Sequence, residues 1–262
     1  MAVHEKYLLV DGTTGDNYNP RGEFVGCFVR LAGHDFMDYR IGGTDGFAGG
    51  SDGCINFNDG DNAGLANCVT NSGVLEIYEN WCHKVSLADF IVIIAEAAIG
   101  KSATDADEIE PFTSGTFQAK LRNKFAYGRA TVEECSWNEG LMPNPENGCP
   151  GLSNIFVDHI YGSRIDPWVM TAAISGAHSV GSAKLANSGY NGWWSDADSS
   201  GKFNNDYYRS LIAKGWGHER EVNGNPDKNQ WERIDLGHGA EHHEIMLRSD
   251  LCLAYDTNPV HI

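Results

Sequence analysis

Basic residues are scarce. Lys and Arg number 19 against 36 Asp and Glu, leaving a formal net charge of −17. Nucleic-acid binding and docking on anionic membranes are both disfavoured, because each needs clustered cations. Long apolar runs are also missing. The longest, Phe90 to Ile99, contains Glu96 and is far shorter than the roughly 20 residues that cross a bilayer. No charged-then-apolar leader occurs over Met1–Asn19. No two of the seven cysteines stand at C-x-x-C spacing, so zinc ribbons, thioredoxin-like redox sites and c-type haem attachment lack support. The odd count leaves at least one thiol unpaired within a monomer. Two or three bridges suit a secreted chain, and none suits a cytosolic one. No Gly-x-Ser-x-Gly elbow occurs, and no Gly-rich phosphate loop follows a convincing strand.

What is present is 262 residues, one large domain or two small ones, with 31 Gly and 11% aromatics. That length buries a core without disulfide staples. The chain reads as helices joined by Gly-, Asn- and Asp-rich loops, and the fold class is mainly α. Phe24 to Phe36 is amphipathic and precedes a Gly-rich loop, 42–53. Ser86-Leu87-Ala88-Asp89 reads as a capping box opening a helix, Leu87–Ile99, that is apolar nearly all round and therefore central. Gly100 is its expected stop. A helix is expected over Gln118–Phe125, irregular chain over Leu141–Gly151, and a further helix over Asp206–Ala213. Asp166-Pro167 reads as an N-cap with Pro at N1, opening a helix that runs through Val169–Ile174 towards His178.

Three local signals bear on chemistry. Arg30 and His34 are spaced i,i+4 and share a helix face. A neutral imidazole beside a permanent cation can take a proton and stabilise developing charge. The segment Ala172-Ala173-Ile174-Ser175-Gly176-Ala177-His178-Ser179-Val180-Gly181 brings a His to the end of a small-residue helix, where a flat cofactor can approach. Asp250 is a carboxylate of the kind that accepts the second N–H of a metal-bound His, and Trp194 follows His178 by sixteen residues. Taken singly, each has a plainer reading: a packed or solvated His, a satisfied core His, one acid among 36.

Together they resemble the plant, fungal and bacterial haem peroxidase superfamily. Phe28-Val29-Arg30-Leu31-Ala32-Gly33-His34-Asp35 is similar to its distal helix motif, and Asn58–Leu65 to the segment carrying its distal Asn. Val85–Asp89 is similar to the start of its central helix, and Ile174–Gly181 to its proximal motif. Asn187–Trp194 looks closest to cytochrome c peroxidases of the intracellular class. The matches run in order from residue 24 to 255 and are weakest over 105–160.

The resemblance implies a single domain over 1–262. Its distal lobe would cover about 1–130 and its proximal lobe about 131–262, with non-covalent haem b between them. His178 would ligate the iron and Asp250 would accept its other N–H. His34 would move the proton of H2O2, Arg30 would stabilise the charge, and Asn62 would hold His34 in its tautomer. Trp194 could hold a radical, and a small organic reductant would close the cycle. A proximal Ca²⁺ or K⁺ would sit on Ser179, Asp196, Ser199, the Lys202 carbonyl and Asn204. A distal cation would sit on Asp35, the Gly50 carbonyl and Asp52, with Cys54 standing where a Ser oxygen belongs.

Two departures matter. The family's Trp or Phe before the distal His is Gly33 here, so a wall of the peroxide pocket is either missing or supplied from elsewhere; a partly open wall is the expectation, and it admits an alternative, oxygen transfer or halogenation. The Arg that ascorbate enzymes carry nine residues after the proximal His is Asn187 here, which disfavours ascorbate. A non-catalytic haem- or cation-binding scaffold is the remaining alternative. The cation loops and cysteines lean towards a secreted mature form, and the Trp194 resemblance leans towards the intracellular class. His238, His242 and His243 with Glu241 and Glu244 read as an exposed polar loop rather than a transition-metal site. The sequence assigns no oligomeric state.

Overall fold

The computed structural model describes residues 2–10, 19–41, 47–104, 124–135, 142–162, 166–236 and 244–255. Helices dominate these residues. The distal half carries α1 (Ala2–Leu9), α2 (Pro20–Met37), α3 (Leu65–Asn71), α4 (Val74–Glu79) and α5 (Leu87–Thr104). A two-stranded ribbon, β1 (Arg40–Ile41) with β2 (Phe47–Ala48), follows α2. The second half carries α6 (Gly148–Leu152), which runs into a π-helical turn at Ser153–Tyr161, and then α7 (Pro167–Ser175). After these come α8 (Leu185–Ser188), α9 (Asp206–Ala213) and α10 (Arg248–Leu251). Between the last two lies an antiparallel sheet of β3 (Trp216–Glu219), β4 (Gln230–Arg233) and β5 (Ile245–Met246), in that order.

Among the described residues, most buried apolar side chains fall into two clusters. One packs Val25 and Phe28 of α2 against Ile94 and Ala98 of α5, with Tyr7 of α1 and Val180 at its margin. The other gathers Tyr207 and Leu211 of α9, Trp231, Ile245, Met246 and Leu251. The two meet where α2 crosses the chain just beyond His178. A Cβ on Gly26 would lie 2.8 Å from Gly181 Cα, and one on Gly22 would lie 2.7 Å from the Ser200 carbonyl. Only glycine lets these backbones touch, and the contact fixes α2 against the segment that follows His178.

Several local expectations are corrected by packing. Asn19 caps α2 by accepting from the Gly22 N–H, and Pro20 takes the first turn, so the helix begins four residues before the amphipathic stretch. The Ser86 hydroxyl accepts from Asp89 N–H as a cap should. The Asp89 carboxylate turns instead to Gly128 N–H and Arg129. Gly100 does not stop α5, which continues to Thr104 with Ala98 and Ser102 fully buried. The roughly 1 kcal/mol propensity cost of a mid-helix Gly is outweighed by that burial. Asp166 makes no side-chain cap and sits at φ 57°, so α7 starts on Pro167 alone. The stretch expected to be irregular forms a capped turn at Pro145–Asn147 and then α6. Its tether explains this: Cys149 of α6 is bonded to Cys252, at the end of α10. Of the helix expected over Gln118–Phe125, residues 118–123 lie outside the described residues, and Lys124 and Phe125 are not helical.

Three disulfides resolve the cysteine arithmetic: Cys27–Cys68, Cys54–Cys135 and Cys149–Cys252, with Cys82 free and exposed. Among the described residues no helix is long and apolar enough to cross a membrane.

Candidate active site

Arg30 and His34 project from one face of α2, one turn apart. His34 Nδ1 lies 2.8 Å from Asn62 Oδ1. Asn62 Nδ2 donates to the Asn56 carbonyl, which orients the amide with its oxygen towards the ring. His34 Nδ1 therefore carries the proton and Nε2 the lone pair. That lone pair accepts from Arg30 Nε at 3.2 Å. The remaining guanidinium nitrogens donate to the Ala63 and Asp61 carbonyls at 2.8 and 3.0 Å, so the 59–63 turn holds both the Arg and the Asn. Burial, reinforced by the Arg30 charge, drives the His34 pKa down to about 3 despite the Asn62 bond. Burial also lowers Arg30, with Asp61 opposing.

On the other side, α7 ends in a tight turn, Gly176–Ser179, that presents His178. Gly176 is required there, since a Cβ would meet the Tyr208 hydroxyl at 2.6 Å. His178 Nδ1 lies 2.7 Å from Asp250 Oδ1. Trp194 stacks on the imidazole with centroids 4.1 Å apart and planes 15° from parallel, and its Nε1 donates to Asp250 Oδ2 at 2.8 Å. Asp250 is 2% exposed while the His178 side chain is 37% exposed, so a buried carboxylate holds a ring that is itself partly open. Burial opposes ionisation of Asp250. His178, the Leu247 N–H and Tyr207 reverse that and hold its pKa below the ordinary range. His178 adds the weakest push on His34 in the same downward direction.

Sequence reasoning missed Tyr207, whose hydroxyl donates to Asp250 Oδ1 at 2.8 Å. Nothing local in Asp206-Tyr207-Tyr208 signals a partner 43 residues away.

The expected cation groups divide differently. Asp35 is fully buried, with Oδ1 accepting from Gly53 N–H and Oδ2 without any hydrogen-bond partner. Asp38 accepts from Gly50 N–H, and Asp52 from Cys54 N–H. Burial first, then repulsion from Asp52, raises Asp35 to about 7; burial and Asp52 raise Asp38 to about 7. Cys54 is half of a disulfide, so the free thiol expected there does not exist. On the proximal side the oxygens are spent on one another. Ser179 Oγ donates to the Gly176 and Asn204 carbonyls. Asp196 accepts from Ser199 N–H and Oγ, and Asn204 Nδ2 donates to Asp206. Lys202 N–H donates to the Ser199 carbonyl. Among the described residues no three His, Cys, Asp or Glu side chains cluster as a metal site. Glu244 pairs with Lys214 and Arg233; residues 237–243, with His238, His242 and His243, lie outside the described residues.

A mainly helical chain with two histidines, each anchored through Nδ1 by a side-chain oxygen, has the outline of a haem protein. A family profile described as Peroxidase matches residues 10–261. The chain is 29% identical over 230 residues to a putative heme-binding peroxidase of Pyricularia oryzae, spanning 87% of this chain and 67% of that one. It is 27% identical over 118 residues to a putative heme-binding peroxidase of Gibberella zeae, and 27% identical over 126 residues to the mitochondrial cytochrome c peroxidase of Yarrowia lipolytica. These two alignments cover 45% and 48% of this chain, and each covers 32% of the relative. The chain belongs to the peroxidase family and is a haem peroxidase.

Proposed function

We propose that this protein reduces H2O2 at the expense of a small organic reductant, with haem b held in the gap between His34 and His178. The observation that carries the reading is the matched pair of histidines, each with Nδ1 bonded to a side-chain oxygen, which leaves Nε2 as the nitrogen that can serve chemistry. When bound, haem supplies the redox chemistry, and His178 Nε2 is the group that would hold its iron. His34 Nε2 takes a proton from the incoming peroxide, which displaces Arg30 Nε as the donor to that lone pair, and returns it to the departing oxygen as water forms. Arg30 stabilises the negative charge on that oxygen. Two one-electron, one-proton donations from the reductant balance one H2O2 against two waters. Trp194, stacked on His178, is best placed among the described residues to pass an electron. Asn187 packs against Gly64 beside the distal turn, which supports a reductant other than ascorbate. A stopped-flow H2O2 titration of the haem-loaded protein tests the reading. A rapid change of the haem spectrum is expected. An inert spectrum, or haem binding and spectrum unchanged in His178→Ala, would sink it.

The distal acids support a bound hard cation such as Ca²⁺, held by Asp35, Asp52 and the Gly50 carbonyl. Asp35 Oδ2, buried without a partner, is the strongest sign of it. The proximal set, with its oxygens already bonded to each other, gives weaker support for Ca²⁺ or K⁺. The distal cation has a pH signature. Asp35 and Asp38 release protons near 7 when folded and near 4 when unfolded. Stability in chelator should therefore fall as pH rises from about 4 to about 7. Ca²⁺ should restore it at neutral pH, by about 2.7 kcal/mol at a hundredfold excess over Kd. Melting temperatures at pH 7.5 that match in chelator and Ca²⁺, or an Asp35→Asn variant that still responds to Ca²⁺, would refute the site.

Gly33 favours a second reading, oxygen transfer to an organic substrate. Arg30, Gly33, His34 and Met37 follow helical spacing along α2, and a Cβ on Gly33 would meet only Met37 Cε, at 3.9 Å. Among the described residues nothing else lies within 4 Å of that position. A bulky isocyanide and cyanide should bind the haem at similar rates. Gly33→Trp should slow the isocyanide relative to cyanide by about tenfold or more, the size of a misfit in a tight pocket. Equal slowing of both ligands would show that Gly33 does not gate access, and this reading would lose its support.

A further inference from the structure

Asp250 is more heavily engaged than orienting a single histidine requires. Its Oδ1 receives His178 Nδ1 at 2.7 Å and the Tyr207 hydroxyl at 2.8 Å. Its Oδ2 receives Trp194 Nε1 at 2.8 Å and the Leu247 N–H at 2.7 Å. Tyr207 is wholly buried in the second core cluster, with its ring edge-on to His178 at 5.7 Å and 81°. Packing alone would be served by Phe, and burying a phenol is costly unless its hydroxyl is bonded. The hydroxyl makes its bond to the same oxygen atom that holds His178.

We propose that Tyr207 is a positioning residue that sets how strongly Asp250 draws on the His178 proton, and through it the reduction potential of the iron that His178 would hold. This rests on the haem-ligand reading of His178. The physical argument is competition. Two donors on one carboxylate oxygen divide its charge, so each bond is weaker than it would be alone. With Tyr207 bonded, His178 keeps more of its Nδ1 proton and remains a neutral, weaker ligand. Without it, the undivided charge on Oδ1 pulls that proton further. The ring becomes richer in electrons, and the oxidised metal is favoured. Burial and the neighbouring carboxylate push the Tyr207 phenol well above its ordinary range, so it serves as donor throughout.

The test uses the haem-loaded full chain. Tyr207→Phe should lower the Fe(III)/Fe(II) midpoint by about a tenfold change in the reduction equilibrium, or 59 mV for one electron. The iron–histidine stretching frequency should rise with it. 3-Fluorotyrosine incorporated at position 207 is a more acidic phenol and a stronger donor, and should move both readings the opposite way. It also keeps the proposal testable if Tyr207→Phe does not fold. An unchanged potential and stretch in either folded variant, or shifts of the same sign in both, would overturn the proposal. His178→Ala separates the two layers. If that variant loses the haem spectrum while position 207 has no effect, only the role of Tyr207 falls. If it leaves the spectrum intact, the ligand assignment falls and Tyr207 with it.

Discussion

His34→Leu should slow the peroxide-driven spectral change by about 10²–10⁴-fold, the contribution of a positioned acid–base group, while haem stays bound. The size follows from the geometry. Asn62 Oδ1 accepts from the Nδ1 N–H, so the ring has one working nitrogen, Nε2. Leu fills much of the same volume and offers no lone pair. Arg30 would remain on the Asp61 and Ala63 carbonyls, so charge stabilisation survives and only proton transfer is lost. The pH dependence adds a check. Burial and Arg30 hold His34 near 3, well below the 6.5 of a free imidazole. The base is therefore neutral across the ordinary range, and the peroxide step should run level from about pH 8 down to about pH 4. The stability term has its own sign. Below pH 6.5 the unfolded chain binds a proton that folded His34 refuses, so this contribution is intact above 6.5 and lost as pH falls towards 3. A wild-type rate in His34→Leu would sink the distal assignment, and an acid limb near 6.5 that the substitution removes would overturn the low His34 pKa while keeping His34 as the base.

The sequence carried the chemistry of this site further than its local structure. Spacing alone put Arg30 and His34 on one helix face, and the two are hydrogen-bonded. The family resemblance brought Asn62, His178, Asp250 and Trp194 into consideration, and each lies within hydrogen-bond or stacking reach of another member. What stayed hidden depends on contacts between distant parts of the chain. Gly100 reads as a helix stop, but burial beneath α1 and α2 carries α5 past it. The Pro- and Gly-rich stretch before residue 151 reads as loop, but the Cys149–Cys252 bond draws it into a helix beside α10. Cys54 reads as a thiol near a cation site until Cys135 arrives from 81 residues away. The two sets of candidate cation ligands differ for a similar reason. The proximal loop has the ligand types in order, yet its oxygens pair among themselves, whereas distal Asp35 is left with an unpartnered oxygen.

Asp250→Leu should be the most damaging single substitution for stability. The carboxylate accepts four donors, and three of them, Trp194 Nε1, the Tyr207 hydroxyl and the Leu247 N–H, are buried. A stranded buried donor costs about 1–3 kcal/mol, so the loss should come to about 2–6 kcal/mol even if one of the three finds a new partner. Leucine supplies similar volume, so a cavity contributes little and the effect reads out the lost bonds. Asp250→Asn is the milder companion. Its carbonyl can still accept from one side, while its amide N–H groups confront donors on the other. The two variants also differ from wild type in acid. Folded Asp250 is held below the ordinary carboxylate range, so its contribution is present above about pH 4 and lost as pH falls through the lower folded value. Neither Leu nor Asn titrates, so both should lack this component of the acid transition. Urea unfolding of the oxidised protein at pH 7 and at pH 3 measures the difference, with Cys149–Cys252 intact so that the tether on α10 is the same in every variant. A loss within 0.5 kcal/mol of zero for Asp250→Leu, on the order of an ordinary surface change, would mean that the four donors find other acceptors. In that event Asp250 would not be the residue that fixes His178.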